Sequence, residues 1–314
     1  MPAVKKRVFL TGASGFIGAH VARQLTQNGH EVAVLQRTEA PGHRLEELSA
    51  KLSFIRPHGN DIRSVEPELR AWAPDCLLHL GWGGVGNRHR NDSAVQLENV
   101  QYSALLANLC VEVGATQYIG AGSQAEYGPQ NCLITEDLCP APTTLYGAAK
   151  LSAALLTQRI CDLAGVRHAW LRVFSTYGPG DDPDWMLPAL IRQLLQRKRP
   201  QLTACEQTWD YLHVTDAAAA FVAAVESSVE GICNLASGRE VQLRSVVELV
   251  RDLVDPDAKL GFGELPYRPD QVMRMQVCTA RLSKQTGFTP SVSLQDGLRH
   301  LVESMRQNFV AVSS

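Results

Sequence analysis

The stretch Thr11-Gly12-Ala13-Ser14-Gly15-Phe16-Ile17-Gly18 constrains this chain most. Before it runs the apolar Val8-Phe9-Leu10, and after it Ala19 to Asn28, a run of helical periodicity that stops at Gly29. A second apolar run, Glu31 to Leu35, follows. A glycine-rich loop between a strand and a helix is the setting in which backbone N–H groups face a phosphate. Gly12 permits the tight turn, Gly15 lets a pyrophosphate approach the backbone, and Gly18 lets the helix pack close to the strand. Gly12, Ser14, Gly15, Phe16, Ile17 and Gly18 are therefore candidate contacts to a dinucleotide cofactor.

The remaining first half alternates strand-like and helix-like runs. Further strands are expected at Leu52 to Ile55, Cys76 to Leu80, Gln117 to Gly120 and His168 to Val173. Amphipathic stretches lie between them, clearest at Gln96 to Val113 and Ala148 to Ala164. The pattern predicts an α/β fold, a Rossmann-like, doubly wound parallel sheet with the cofactor across the carboxyl ends of its strands. NAD-binding sheets of this kind carry an acidic residue near the end of the second strand. Here the residues are Gln36 and Arg37, which favours NADP over NAD, with Arg37 pairing the 2′-phosphate and His43 and Arg44 adding to the pocket. Asn60-Asp61-Ile62 is placed at the adenine edge, with Asp61 and Ile62 as contacts. Leu80, Gly81 and Trp82, in a glycine-rich segment, are placed along the nicotinamide ribose. Trp82 is read as packing or substrate-lining.

Candidate chemistry lies at Ser123 and at Tyr146-Gly-Ala-Ala-Lys150. A tyrosine and a lysine at this spacing share one helix face. A nearby ammonium favours the phenolate, which equips a phenol to exchange a proton with an alcohol or carbonyl. Ser123, beyond the fifth strand, can bond the same oxygen.

Net charge is −2, so composition makes no case for nucleic acid or an anionic membrane as partner. No apolar run is long enough for a membrane helix, and the basic N-terminus lacks a signal-peptide pattern. The eight cysteines are scattered without a Cys-x-x-Cys pair, which reads as reduced thiols of a cytoplasmic protein with no metal site.

Together, the glycine loop, Ser123-Gln-Ala-Glu-Tyr127-Gly128 and Tyr146-x-x-x-Lys150 resemble the extended short-chain dehydrogenase/reductases. More narrowly, the chain is similar to the NAD-dependent epimerase/dehydratase group that acts on nucleotide sugars. Leu171 to Gly180, Asp210 to Asp216, Arg268 to Asp270 and Arg281 to Pro290 extend the likeness over nearly the whole sequence. The resemblance implies Ser123, Tyr146 and Lys150 as the catalytic set, with Tyr146 and Lys150 also touching the cofactor. It implies Phe174 and Thr176 beside the nicotinamide, and Trp82, Ser123, Gln124 and Arg268 as substrate contacts, Arg268 at the diphosphate. It also implies a homodimer. Two departures stand out. Family members that remove water across C5 and C6 carry an Asp-Glu pair directly after the catalytic hydroxyl residue. Here the residues are Gln124 and Ala125, which argues against a 4,6-dehydratase. Trp209 precedes Asp210 where many relatives have arginine, and its simplest reading is packing.

Residues 1–180 are expected to form the dinucleotide-binding part. Residues 181–314 are expected to form mainly a smaller, interleaved substrate lobe, with about 205–237 returning to the sheet. Helices are expected at Met186 to Lys198, Asp216 to Ser227 and Leu243 to Val254, a strand at Gly231 to Ala236, and a frayed tail from Gln307. Three activities compete: 4-keto reduction of a nucleotide-linked deoxyhexose, 4-epimerisation with tightly held NAD, and nucleotide sensing without turnover. A sensor needs no Ser-Tyr-Lys set.

Overall fold

The computed structural model describes residues 4–37, 42–59, 61–86, 89–267 and 271–313. Seven strands form one sheet: β1 (Arg7–Thr11), β2 (Glu31–Leu35), β3 (Leu52–Ile55), β4 (Cys76–His79), β5 (Gln117–Ser123), β6 (Arg167–Val173) and β7 (Gly231–Leu235). They lie in the order β7-β6-β5-β4-β1-β2-β3, and every pairing is parallel. The chain leaves β1 towards one edge and resumes at β4 towards the other. The direction of winding therefore reverses between β1 and β4, where such a sheet opens a crevice.

Both faces of the sheet are covered, which explains the near-continuous apolar runs. Val8 and Leu10 of β1 pack on one face with Val21 and Leu25 of α1 (Phe16–Gln27). Phe9 points to the other face, with Leu106 and Cys110 of α3 (Ser93–Glu112) and Ala153 and Cys161 of α4 (Leu145–Ala164). The short α2 (Glu66–Trp72) adds Leu69 to this second layer. α4 starts one turn earlier than its periodicity suggests, because the Thr144 hydroxyl accepts the Gly147 N–H at 3.1 Å and caps the helix. Tyr146 therefore sits in the first turn.

A third core joins α5 (Met186–Leu195), α7 (Leu243–Val254) and α9 (Leu294–Ser313) through Leu187, Ile191, Val246, Val250, Leu298 and Val302. α6 (Val214–Glu226) instead packs beside α1, through Phe221 and Val225, and leads into β7. α8 (Ala280–Thr286) closes against that layer with Leu282. One helix runs from Leu294 to Ser313, through most of the tail expected to fray, and Leu298, Leu301 and Val302 in its first half complete the third core. Among the described residues no helix is long and apolar enough to cross a membrane.

Candidate active site

The glycine loop sits at the carboxyl end of β1. Gly12 has φ +76°, and a Cβ there would lie 2.5 Å from the Gly81 backbone nitrogen. A Cβ on Gly18 would collide with the Gly12 carbonyl. The turn is closed by the Gly15 N–H donating to the Gly12 carbonyl at 3.0 Å. α1 begins at Gly15 with no side-chain cap, so its first N–H groups remain open to an anion. Phe16 is half-buried against the His20 ring, and Ile17 packs on the core below.

Beside the loop lies a cleft of about 230 Å³ lined by Gly12, Ser14, Gln36, Arg37, Gly81, Trp82 and neighbouring residues. It opens where the winding reverses. Gln36 is 7% exposed, and neither its amide nitrogen nor its amide oxygen has a partner. Arg37 is exposed, with its guanidinium carbon 6.0 Å from the centre of the Tyr102 ring. A loop that excludes side chains, an open helix start and an orphaned amide fit a dinucleotide with ribose hydroxyls near Gln36.

Other expected contacts lie outside the lining of this cleft. Arg44 donates to the carbonyls of Ser14 at 3.3 Å and Gly180 at 2.8 Å, so it ties two loops together rather than lining the cleft. The Asp61 carboxylate accepts the Arg63 N–H at 2.9 Å, Ile62 is buried in the core, and neither lines the cleft. Asn60 and Arg268 lie outside the described residues. The Leu80 and Gly81 backbone lies against Thr11 at the crevice floor.

Ser123, Tyr146 and Lys150 converge beside this cleft, with 8%, 6% and 4% of their surfaces exposed. Trp82 joins them to it: its ring meets Tyr146 edge-on at 6.1 Å, and the Lys150 ammonium lies 3.7 Å from the indole centre. The Lys150 ammonium also donates to the Ala121 carbonyl on β5 at 2.7 Å. Burial pulls the Lys150 pKa from 10.5 down to about 7, with Glu126 opposing.

For Tyr146 the structure differs from the expectation. Its pKa is raised, because burial disfavours the phenolate more than its neighbours favour it. The facing Ser123 hydroxyl and the Arg90 guanidinium, 4.6 Å above the phenol ring, pull it down. Lys150, 6.0 Å from the ring centre, is turned towards Ala121 and Trp82 instead. Arg90 lies in the loop before α3, where no periodicity marks a functional side chain. Phe174 is buried, and its carbonyl accepts from the half-buried Thr176 hydroxyl at 3.2 Å. Gln124 is half-buried, with its amide oxygen unpartnered. Trp209 donates to the Val272 carbonyl at 2.9 Å and packs in the third core, as the packing reading requires.

Residues 8–236 match the model of the NAD dependent epimerase/dehydratase family. The chain belongs to that family. A GDP-6-deoxy-D-mannose reductase of Pseudomonas aeruginosa is 26% identical over 95% of this chain and 96% of its own length. A UDP-glucose 4-epimerase of Corynebacterium glutamicum is likewise 26% identical, over 95% of this chain and 94% of its own. The solved UDP-glucose 4-epimerase of Thermus thermophilus, in complex with NAD, is 26% identical, covers 96% of this chain and 99% of its own, and superposes with a TM-score of 0.83. The protein is thus a Rossmann-fold enzyme that uses NAD(P).

Proposed function

We propose that this enzyme reduces the 4-keto group of a nucleotide-linked deoxyhexose, with NADP preferred. The observation that carries the reading is the convergence of the Ser123 hydroxyl, the Tyr146 phenol and the Lys150 ammonium beside the dinucleotide cleft. The nicotinamide, when bound, supplies the hydride. The chain's own part is the proton. Tyr146, whose raised pKa keeps it protonated at neutral pH, gives its phenolic proton to the oxygen of the reacting carbonyl. The Ser123 hydroxyl holds that oxygen in line. The Arg90 guanidinium over the ring then stabilises the phenolate left behind, with the Lys150 ammonium a more distant positive charge in the same site. Asp61, Ile62, Phe174 and Thr176 remain proposed cofactor contacts, and Gln124 and Trp82 proposed substrate contacts.

Gln124 and Ala125 argue against dehydration, since neither can shuttle a proton as a carboxylate does. Similarity to a reductase over nearly the whole chain supports reduction. The absence of a carboxylate at Gln36 and Arg37 supports NADP. The sugar would lie between the sheet and the lobe built mainly from residues 181–314. A second reading, 4-epimerisation with NAD retained, is favoured by similarity to the epimerases. We also read the protein as cytoplasmic. A homodimer would cover Leu97, Leu155 and Leu163, apolar residues that α3 and α4 leave exposed.

Incubation with a 4-keto-6-deoxy sugar nucleotide tests the reading. Stoichiometric oxidation of added NADPH supports reduction. Interconversion of 4-epimers by protein carrying tightly bound NAD, with no added coenzyme, overturns it in favour of the second reading.

A further inference from the structure

Glu126 lies three residues beyond Ser123, the spacing of a helix capping box. Such boxes usually face solvent; this one is inside the protein. Glu126 has no exposed surface, and one carboxylate oxygen accepts the Ser123 backbone N–H at 2.8 Å and the Trp170 indole N–H at 2.9 Å. The other oxygen accepts from Arg172 Nε at 2.6 Å. The Arg172 guanidinium lies 4.3 Å over the Tyr127 ring, and its side chain is 1% exposed. A Cβ at Gly122 would come within 2.6 Å of the carboxylate, so glycine keeps this space open. Taking an ion pair into the core is a poor route to stability, since a well-packed apolar pair commonly serves as well. The position adjoins the proposed site: Glu126 grips the residue that carries the Ser123 hydroxyl, and Lys150 is bonded to Ala121 on the same strand.

We propose that Glu126 is a positioning residue for the proton relay proposed above, on which this inference rests. Its carboxylate fixes the Ser123 backbone at the end of β5 and supplies the negative charge that holds the Lys150 ammonium in its apolar seat. The groups facing Lys150 allow few alternatives. Tyr146 comes from its own helix, the Trp82 ring from the segment after β4, Ala121 from β5 and Trp170 from β6. His79 on β4 is kept neutral, its pKa lowered to about 3 by burial and by Lys150 itself. Arg90 faces Tyr146, and Arg172 is already paired. Glu126 adjoins this seat through Trp170, whose indole N–H it accepts at 2.9 Å and whose ring centre lies 5.9 Å from the ammonium, and its charge opposes the effect of burial on Lys150.

The test is a pH titration of the full-length protein with ¹³C-labelled lysine, following the Lys150 side-chain signal by NMR, assigned by its loss in Lys150→Met. In Glu126→Gln the midpoint falls by about one pH unit, a tenfold weaker hold on the proton. In Glu126→Asp, which keeps the charge and shortens the reach to Ser123, the midpoint stays with the wild type while kcat falls and the coenzyme KM does not. Should Glu126→Gln fail to fold with Arg172 uncompensated, Glu126→Gln with Arg172→Gln removes both charges, and a smaller fall in the same direction is expected, because the positive charge goes as well. A Lys150 midpoint unmoved by loss of the carboxylate overturns the proposal. The titration needs no substrate, so a chain inactive on sugar nucleotides contradicts the functional reading without deciding this one.

Discussion

Lys150 gives the account its most quantitative handle. Its ammonium is buried beside indole rings, and its pKa falls from the ordinary 10.5 to about 7. At about 1.4 kcal/mol per pH unit, that gap costs the fold on the order of 5 kcal/mol while the side chain is charged in both folded and unfolded chains. The sign follows from proton counting. Below about pH 7 both states carry the proton, and the cost is present in full. Between about 7 and 10.5 the unfolded chain binds more protons, so stability rises with pH. Above that range neither state is charged, and the cost is gone. Lys150→Met keeps the length and removes the charge. It also removes the hydrogen bond to the Ala121 carbonyl, worth about 1 kcal/mol. In thermal melts of coenzyme-free protein at about pH 6, the variant is expected to be more stable by a few kcal/mol, several degrees in Tm. The advantage should narrow steadily as pH rises towards 9. A variant that melts below the wild type at about pH 6, or a difference independent of pH, would refute the reasoning. Such a gain would also show the proposed site holding stability in reserve for function.

Other substitutions test the site from different sides. Gly12→Ala forces a side chain onto a φ of +76° against the Gly81 backbone; it should cost about 1–3 kcal/mol in urea unfolding and abolish NADPH binding measured by fluorescence. An unchanged affinity would remove the close-approach role of that glycine. Arg37→Ala is expected to raise the KM for NADPH more than for NADH, and equal effects would withdraw the phosphate assignment. Glu126→Leu leaves Arg172 buried without its partner and should destabilise by about 3–5 kcal/mol, whereas adding Arg172→Met should recover most of the loss in the same melts. A single variant as stable as the wild type would show that the pair is not electrostatically coupled to the fold.

The parts of the fold legible in the sequence are those written in local patterns. Val8-Phe9-Leu10 and Cys76-Leu77-Leu78 are strands buried on both faces, so each reads as an unbroken apolar run. The glycine spacing marks the loop because backbone approach, not a side chain, is what that place requires. Other features depend on distant partners. Glu126 carries a visible capping-box spacing, but its burial depends on Arg172 and Trp170, which β6 brings alongside β5. Arg90 sits in a loop with no periodic signal and reaches the phenol through tertiary contact. The start of α4 is readable from Thr144 as a capping residue, and the apolar periodicity from Ala148 conceals it. Lys150 sits on the expected helix face, but its direction is set by the Ala121 carbonyl and the Trp82 ring. The phenol's proton affinity is therefore raised by burial and held down by Ser123 and Arg90, rather than being set by the amine one turn away.

The central claim is that the Tyr146 phenol delivers the proton to the oxygen of the reacting carbonyl. The direct measurement is single-turnover reduction of a 4-keto sugar nucleotide by Tyr146→Phe, with coenzyme affinity determined on the same preparation. The account predicts a rate lower by about 10²–10⁴, the range of a general acid, with NADPH bound as tightly as by the wild type. Turnover at the wild-type rate in that variant would contradict it.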